Sequence, residues 1–192
     1  MQPNNINEII SARRSIYPRE FTGTVLDEHV ISTLLHNANQ APNHHSNYPW
    51  RFVVITGDKL AEWLQKAAEI YRTETLPEKF RQEKLDKITG NIGRISHAIA
   101  IVMHRDENAK TVETEDICAI ACGVQNMYLS LHQFEHAGGY WSTGLGTYSP
   151  AMKSYLGLED GEKLMGYFIL GHVDVKRTEG HKKDFRKFTR YL

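Results

Sequence analysis

Between Asp116 and Phe134, apolar side chains recur at Ile117, Ile120, Ala121, Val124, Met127, Tyr128, Leu131 and Phe134, three and four residues apart. That spacing predicts a buried helix of about five turns. The residues that follow, His136-Ala137-Gly138-Gly139-Tyr140-Trp141-Ser142-Thr143-Gly144, change character. Two glycines interrupt the helical period, and aromatic and hydroxyl residues suited to a pleated strand come next. The stretch predicts a helix C-cap at the glycines and a strand beyond it. Two residues without side chains also let the backbone approach a flat ligand, with Trp141 to stack on it and Ser142 and Thr143 to hydrogen-bond its edge.

Cys118, Ala119, Ala121, Cys122 and Gly123 give the long helix one narrow face that a second helix can approach. Two cysteines one turn apart make neither a disulfide framework nor a zinc site, so they are expected as packing residues in a reducing cytoplasm.

Ile6, Ile9 and Ile10 predict a first helix that runs into Ser11-Ala12-Arg13-Arg14-Ser15 and is broken by Tyr17-Pro18. Asp27 caps a second, whose stripe is Val30, Ile31, Leu34, Leu35 and Ala38 and which ends by Pro42. The residues from Trp50 to Thr56 read as a strand. Gly57-Asp58 opens a third helix with Leu60, Trp63, Leu64, Ala67, Ala68 and Tyr71 on its buried side. Thr73 to Gly93 is highly charged, as in a partly exposed helix bordering a pocket as a lid or arm. The apolar run from Ala98 to Met103 predicts a strand covered on both faces, and Asp106 to Lys110 a polar loop. Ser149-Pro150 starts a helix that Gly157 ends, and a last strand spans Leu164 to Gly171. The order predicts a single α+β domain over residues 1–192, a mixed sheet layered with helices.

Twenty-three basic residues balance 23 acidic ones, so no overall field draws the chain to nucleic acid or to an anionic membrane. No segment approaches the roughly twenty apolar residues of a membrane span. Met1-Gln-Pro-Asn-Asn has neither a basic flank nor an apolar run, so a cytoplasmic location is expected. The basic residues gather only from Lys176 onward, where a tail could grip a phosphate, hold a partner subunit or stay solvated.

Four constellations carry candidate chemistry. Arg13-Arg14-Ser15 sets two guanidinium forks beside a hydroxyl, a match for phosphate oxygens, although adjacent arginines at a helix end also sit in solvent. The loop around His44 and His45, bounded by Pro42 and Pro49, is either a polar rim for a ligand or a surface turn. His132-Gln133-Phe134-Glu135-His136 fits the HxxEH pattern, in which two histidines on one helix face chelate Zn²⁺ and a glutamate activates water. Gly144-Leu145-Gly146-Thr147-Tyr148-Ser149 is shaped like a dinucleotide fingerprint, with serine in place of the third glycine.

Three of these features lie in one order over nearly the whole chain: Arg-Arg-Ser after the first helix, Ala41-Pro42-Asn43-His44 through Pro49-Trp50-Arg51-Phe52 after the second, and Gly-Gly then Trp-Ser-Thr after the long helix. With Gly166-Tyr167-Phe168-Ile169-Leu170-Gly171 near the end, the chain resembles compact members of the nitroreductase family of flavin enzymes. It departs from many of them at Asn43, Tyr48 and His136, where they carry aspartate, glutamine and a small residue. The resemblance implies an intertwined homodimer with about four to five strands in the sheet, FMN at the subunit interface, and the long helix as the dimer helix. It implies that Arg13, Arg14 and Ser15 hold the phosphate and ribityl end of FMN. Gln40 and His44 would contact the flavin, Trp141, Ser142 and Thr143 would form a second contact segment, and Arg190 would reach the phosphate from the tail. It further implies NADH or NADPH as electron donor and ping-pong turnover with a nitroaromatic, quinone or similar flat small-molecule acceptor. The flavin carries that chemistry, so no side chain is assigned as catalytic and no metal is needed. Two other classes fit the sequence: a zinc hydrolase through His132, Glu135 and His136, and a flavin-binding protein with little turnover.

Overall fold

The computed structural model describes residues 5–105, 110–176, 180 and 182–192. Helix α1, Ile6–Ala12, starts where the Asn5 side chain accepts from the Asn7 N–H. Helix α2, Glu28–Ala38, is capped by Asp27 through a 2.7 Å bond from the His29 N–H, as expected. Strand β1, Trp50–Ile55, leads through Gly57 into α3, Asp58–Glu74. Helix α4, Gln82–Thr89, covers part of the charged segment and buries Leu85 and Ile88. Strand β2, His97–Met103, is buried at every residue. Helix α5, Glu113–Ser130, is the predicted long helix, and it tightens into a 3-10 turn at Leu131–Gln133. Strand β3 is Ala137–Ser142. Helix α6, Pro150–Tyr155, takes Ser149 as cap and leads to strand β4, Lys163–His172.

The four strands stand in the order β1-β2-β4-β3. All three pairings are antiparallel, so the sheet among the described residues is not the mixed one expected from the element order. The reason lies in the connections. Two helices, α3 and α4, separate β1 from β2, and an even number of helical passes returns the chain to the end it left, which forces reversal. The single long helix α5 does bring β3 parallel in direction to β2, but β4 inserts between them.

Strand periodicity divides the core. Ile99, Ile101, Met103, Phe168 and Leu170 face α2 and α5, while Ala98, Ala100, Val102, Tyr167 and Ile169 face α3, α4 and α6. The close approach permitted by the small residues of α5 is used within the chain: a Cβ at Gly123 would stand 3.1 Å from the Ala38 carbonyl oxygen on α2. Cys118 and Cys122, expected as packing residues, are exposed, because the opposite side of α5 faces away from the sheet.

The glycine pair corrects a second expectation. Gly138 and Gly139 do not cap α5; they lie inside β3, eight and nine residues beyond the last residue of the helix, Ser130. Most of the polar loop expected at 106–110, together with Arg177 and Glu179 of the tail, lies outside the described residues. Among the described residues, no helix is long and apolar enough to cross a membrane.

Candidate functional site

Three segments converge on a cleft of about 750 Å³ beside the edge strand β3. The end of α1 delivers Arg13 and Arg14, the end of α5 supplies Tyr128 and Leu131, and the chain after β4 closes it with Asp174 to Lys176. Gly138 and Gly139 belong to its wall. The edge strand needs glycine here. A Cβ at Gly138 would stand 3.1 Å from Val173 Cγ1 and 3.2 Å from Ile16, and one at Gly139 would stand 2.9 Å from the Ile169 carbonyl oxygen. Without side chains, β3 accepts residues 13–16 along its open edge, where the Ile16 N–H donates to the Gly139 carbonyl at 3.1 Å.

Arg13, Arg14 and Lys176 bring three cationic side chains to the cleft. The Arg13 guanidinium lies 4.8 Å from the centre of the Tyr128 ring, a cation–π contact that steadies it. Arg14 Nη1 donates to the carbonyls of Ser11 at 2.6 Å and Arg13 at 2.7 Å. Lys176 Nζ donates to the Leu131 carbonyl at 2.5 Å and to that of Phe134, satisfying the end of α5. Burial pushes the Lys176 pKa down to about 8, against a smaller upward pull from Glu135. Burial also lowers the His132 pKa, and the charges of Lys176 and Arg13 add to the effect. Glu8, Glu135 and Asp174 bring negative charge to the same walls.

Ser15 and Trp141 meet at one group. The Tyr128 hydroxyl accepts from the Trp141 backbone N–H at 2.7 Å and lies 3.2 Å from Ser15 Oγ. The Trp141 indole itself packs against the α2/α5 side of the core and donates to the Met165 carbonyl at 3.1 Å. Ser142 Oγ accepts from the Gly144 N–H, and Thr143 is exposed.

Gln40 and His44 stand elsewhere. Gln40 is exposed after α2, and His44 Nδ1 pairs with Glu115 Oε2 at 3.1 Å in the first turn of α5. That bond holds the Glu115 pKa below its ordinary value. The loop bearing His44 is strained, with positive φ at His45, Ser46 and Tyr48. A buried carboxylate pins it: Asp116 accepts from Asn47 Nδ2 at 2.6 Å, Thr111 Oγ1 at 2.9 Å and Arg105 Nε at 2.7 Å. Residues 115 and 128 are roughly 20 Å apart along the axis of α5 at 1.5 Å per residue. In one chain, therefore, the His44 loop and the Arg13 cleft lie at opposite ends of the long helix. Arg190 is exposed in the tail, and no residue of 73–93 lines the cleft.

The HxxEH geometry is not realised. His132 lies in a 3-10 turn and Glu135 and His136 follow it, so the two histidines share no helix face. His136 Nδ1 donates to the Val173 carbonyl at 3.1 Å, and its ring stacks on His172 at 5.2 Å. Among the described residues, no three His, Cys, Asp or Glu side chains gather as a metal site. The dinucleotide-like segment is a packed turn between antiparallel strands, where a Cβ at Gly146 would stand 3.3 Å from Ile70 and from Met152.

Sequence reasoning missed Tyr128 and Asp116. Tyr128 reads in the sequence as one more apolar member of the helical stripe, although a hydroxyl within a buried stripe needs a partner and is the available signal.

The family model described as "Nitroreductase family" matches residues 10–172. The Bacillus subtilis (strain 168) protein named "Putative NAD(P)H nitroreductase YfhC" is 27% identical over 173 residues, covering 90% of this chain and 87% of that protein. The crystal structure of a nitroreductase-like family protein from Bacillus cereus superposes with a TM-score of 0.80 at 22% identity, covering 100% of this chain and 98% of the other. A nitroreductase with bound FMN from Bacteroides fragilis NCTC 9343 superposes with a TM-score of 0.74 at 18% identity, over 99% and 100% of the two chains.

Proposed function

The chain belongs to the nitroreductase family, and from that premise we propose that it is an FMN-dependent NAD(P)H oxidoreductase acting as a homodimer. The observation that carries the proposal is the cleft in which Arg13 and Arg14 stand beside the side-chain-free strand at Gly138-Gly139. Its residues fit the cofactor. Two guanidinium forks suit a phosphate, a glycine strand suits close contact with a flat group, and the volume lies in the range of roughly 300–1,000 Å³ usual for ligand sites. In this reading Arg13, Arg14 and Ser15 hold the phosphate end, and the segment Trp141, Ser142 and Thr143 borders the ring. His44, at the far end of α5, and Gln40, outside the cleft, complete the site only when a second copy presents them. The outward side of α5, with Cys118, Cys122 and Gln125, is free of charge there and suits a dimer seam. Arg190 joins the phosphate from the tail.

FMN held by Arg13, Arg14 and Ser15 would supply hydride exchange between a nicotinamide and a nitroaromatic, quinone or similar acceptor, in alternate half-reactions. The chain binds, orients and shields, and no side chain is needed as acid or base.

The test is the visible spectrum of purified protein with FMN, then with NADH or NADPH under anaerobic conditions. Retained yellow colour that bleaches with reductant is expected. Protein that fails to retain FMN overturns the reading, and flavin that binds but does not bleach reassigns the chain as a flavin carrier. Arg13→Ala should weaken FMN binding roughly ten- to a hundredfold, from a charge-assisted bond of about 1.5–3 kcal/mol. Unchanged affinity would remove Arg13 from the site.

A further inference from the structure

We propose that Tyr128 is a positioning residue that couples the phosphate-binding segment 13–15 to the strand at Trp141, an inference that rests on the FMN reading above. Packing alone does not require a tyrosine here. The ring makes an edge contact with Phe168, at 4.8 Å and 88°, and lies under Arg13, and a phenylalanine would make both contacts. The hydroxyl is what distinguishes the residue. It stands at the open edge of β3, where the Ile16 N–H already occupies the Gly139 carbonyl, and it receives the Trp141 N–H at 2.7 Å.

The direction of these bonds has a consequence for Ser15. A backbone N–H can only donate, so the Tyr128 oxygen accepts from Trp141 and keeps its own proton to give. Ser15 Oγ, 3.2 Å away, is positioned to take it. A serine that accepts from Tyr128 turns its single proton elsewhere, and the adjacent guanidinium groups of Arg13 and Arg14 mark the direction in which an anion would meet it. In this proposal Tyr128 donates to Ser15, so that the chain of donors runs from the Trp141 N–H through Tyr128 to Ser15 and on to a phosphate oxygen. One side chain sets the serine as a donor and steadies the arginine.

Flavin fluorescence titration of FMN and of riboflavin, which lacks the phosphate, tests this in the wild-type protein, Tyr128→Phe, Ser15→Ala and the double variant. Tyr128→Phe is expected to weaken FMN binding about five- to tenfold, the size of one hydrogen bond, and to leave riboflavin binding unchanged. The double variant is expected to bind FMN no more weakly than Ser15→Ala alone, because both substitutions cut one chain. Wild-type FMN affinity in Tyr128→Phe, equal weakening for the two flavins, or additive losses would each overturn the proposal. Wild-type protein that binds neither flavin overturns the FMN reading itself, and Tyr128 with it, a result distinct from the other three.

Discussion

His97 opens β2 with 4% of its surface exposed and its Nδ1 2.8 Å from Ser96 Oγ. Burial lowers its pKa below the ordinary imidazole value, against a smaller upward pull from Glu28. The unfolded chain takes up that proton first as pH falls, so the native state loses stability between the ordinary value, about 6.5, and the lower folded one. His132 adds to the loss with the same sign. Thermal midpoints should therefore fall from about pH 7.5 to about pH 5.5, and fall less in His97→Gln. An equal fall in both proteins would place the effect on other groups. Other roles were hidden from the sequence because the fold, and not spacing, decides which side chains meet. Asp116 stood in it as the start of an apolar stripe, yet its side chain, 2% exposed, ties Arg105, Thr111 and Asn47 together.

At the scale of elements, β3 carries the site because two of its residues have no side chains. Gly139→Ala would push a methyl group to 2.9 Å from the Ile169 carbonyl and from Leu170 Cδ2, and backbone paired in a sheet cannot easily give way. It should cost about 1–3 kcal/mol in chemical denaturation, the usual range for overpacking. Gly138→Ala should cost less, since the nearest atoms there are side-chain atoms at 3.1 and 3.2 Å that can shift. Equal midpoints for wild type and Gly139→Ala would show that β3 relaxes freely. Caps and buried strands were legible beforehand: Asp27 and Ser149 bond the helix N–H groups as read, and β2 is covered on both faces. The end of α5 was not legible. Leu131 and Phe134 continue the helical period, but the chain tightens into a 3-10 turn and then extends, and this separates His132 from His136.

The whole molecule leaves one side of α5 unused. Cys118 and Cys122 are exposed there, while Ala119, Gly123 and Val124 face the core. If this side is the dimer seam, Cys122→Glu should fold normally, sediment as a monomer and lose FMN. A dimeric Cys122→Glu protein that keeps FMN would place the seam elsewhere. The tail fits the same arrangement, with Phe185, Phe188 and Tyr191 largely exposed on the single chain.

By itself the sequence determined the α+β class, the caps at Asp27 and Ser149, the order of helices and strands and the family resemblance. Each of these depends on residues near one another in the chain, through local periodicity, turn chemistry and short motifs. Only the tertiary structure decided the antiparallel sheet with β4 between β2 and β3, the glycine pair inside a strand, and the meeting of Ser15, Tyr128 and Trp141. Those outcomes depend on which distant segments share an edge or a face, and neither spacing nor composition encodes that directly. The separation of the His44 loop from the Arg13 cleft is of the same kind. It follows from the length of α5, which keeps apart in one chain the two groups that a shared flavin would require together.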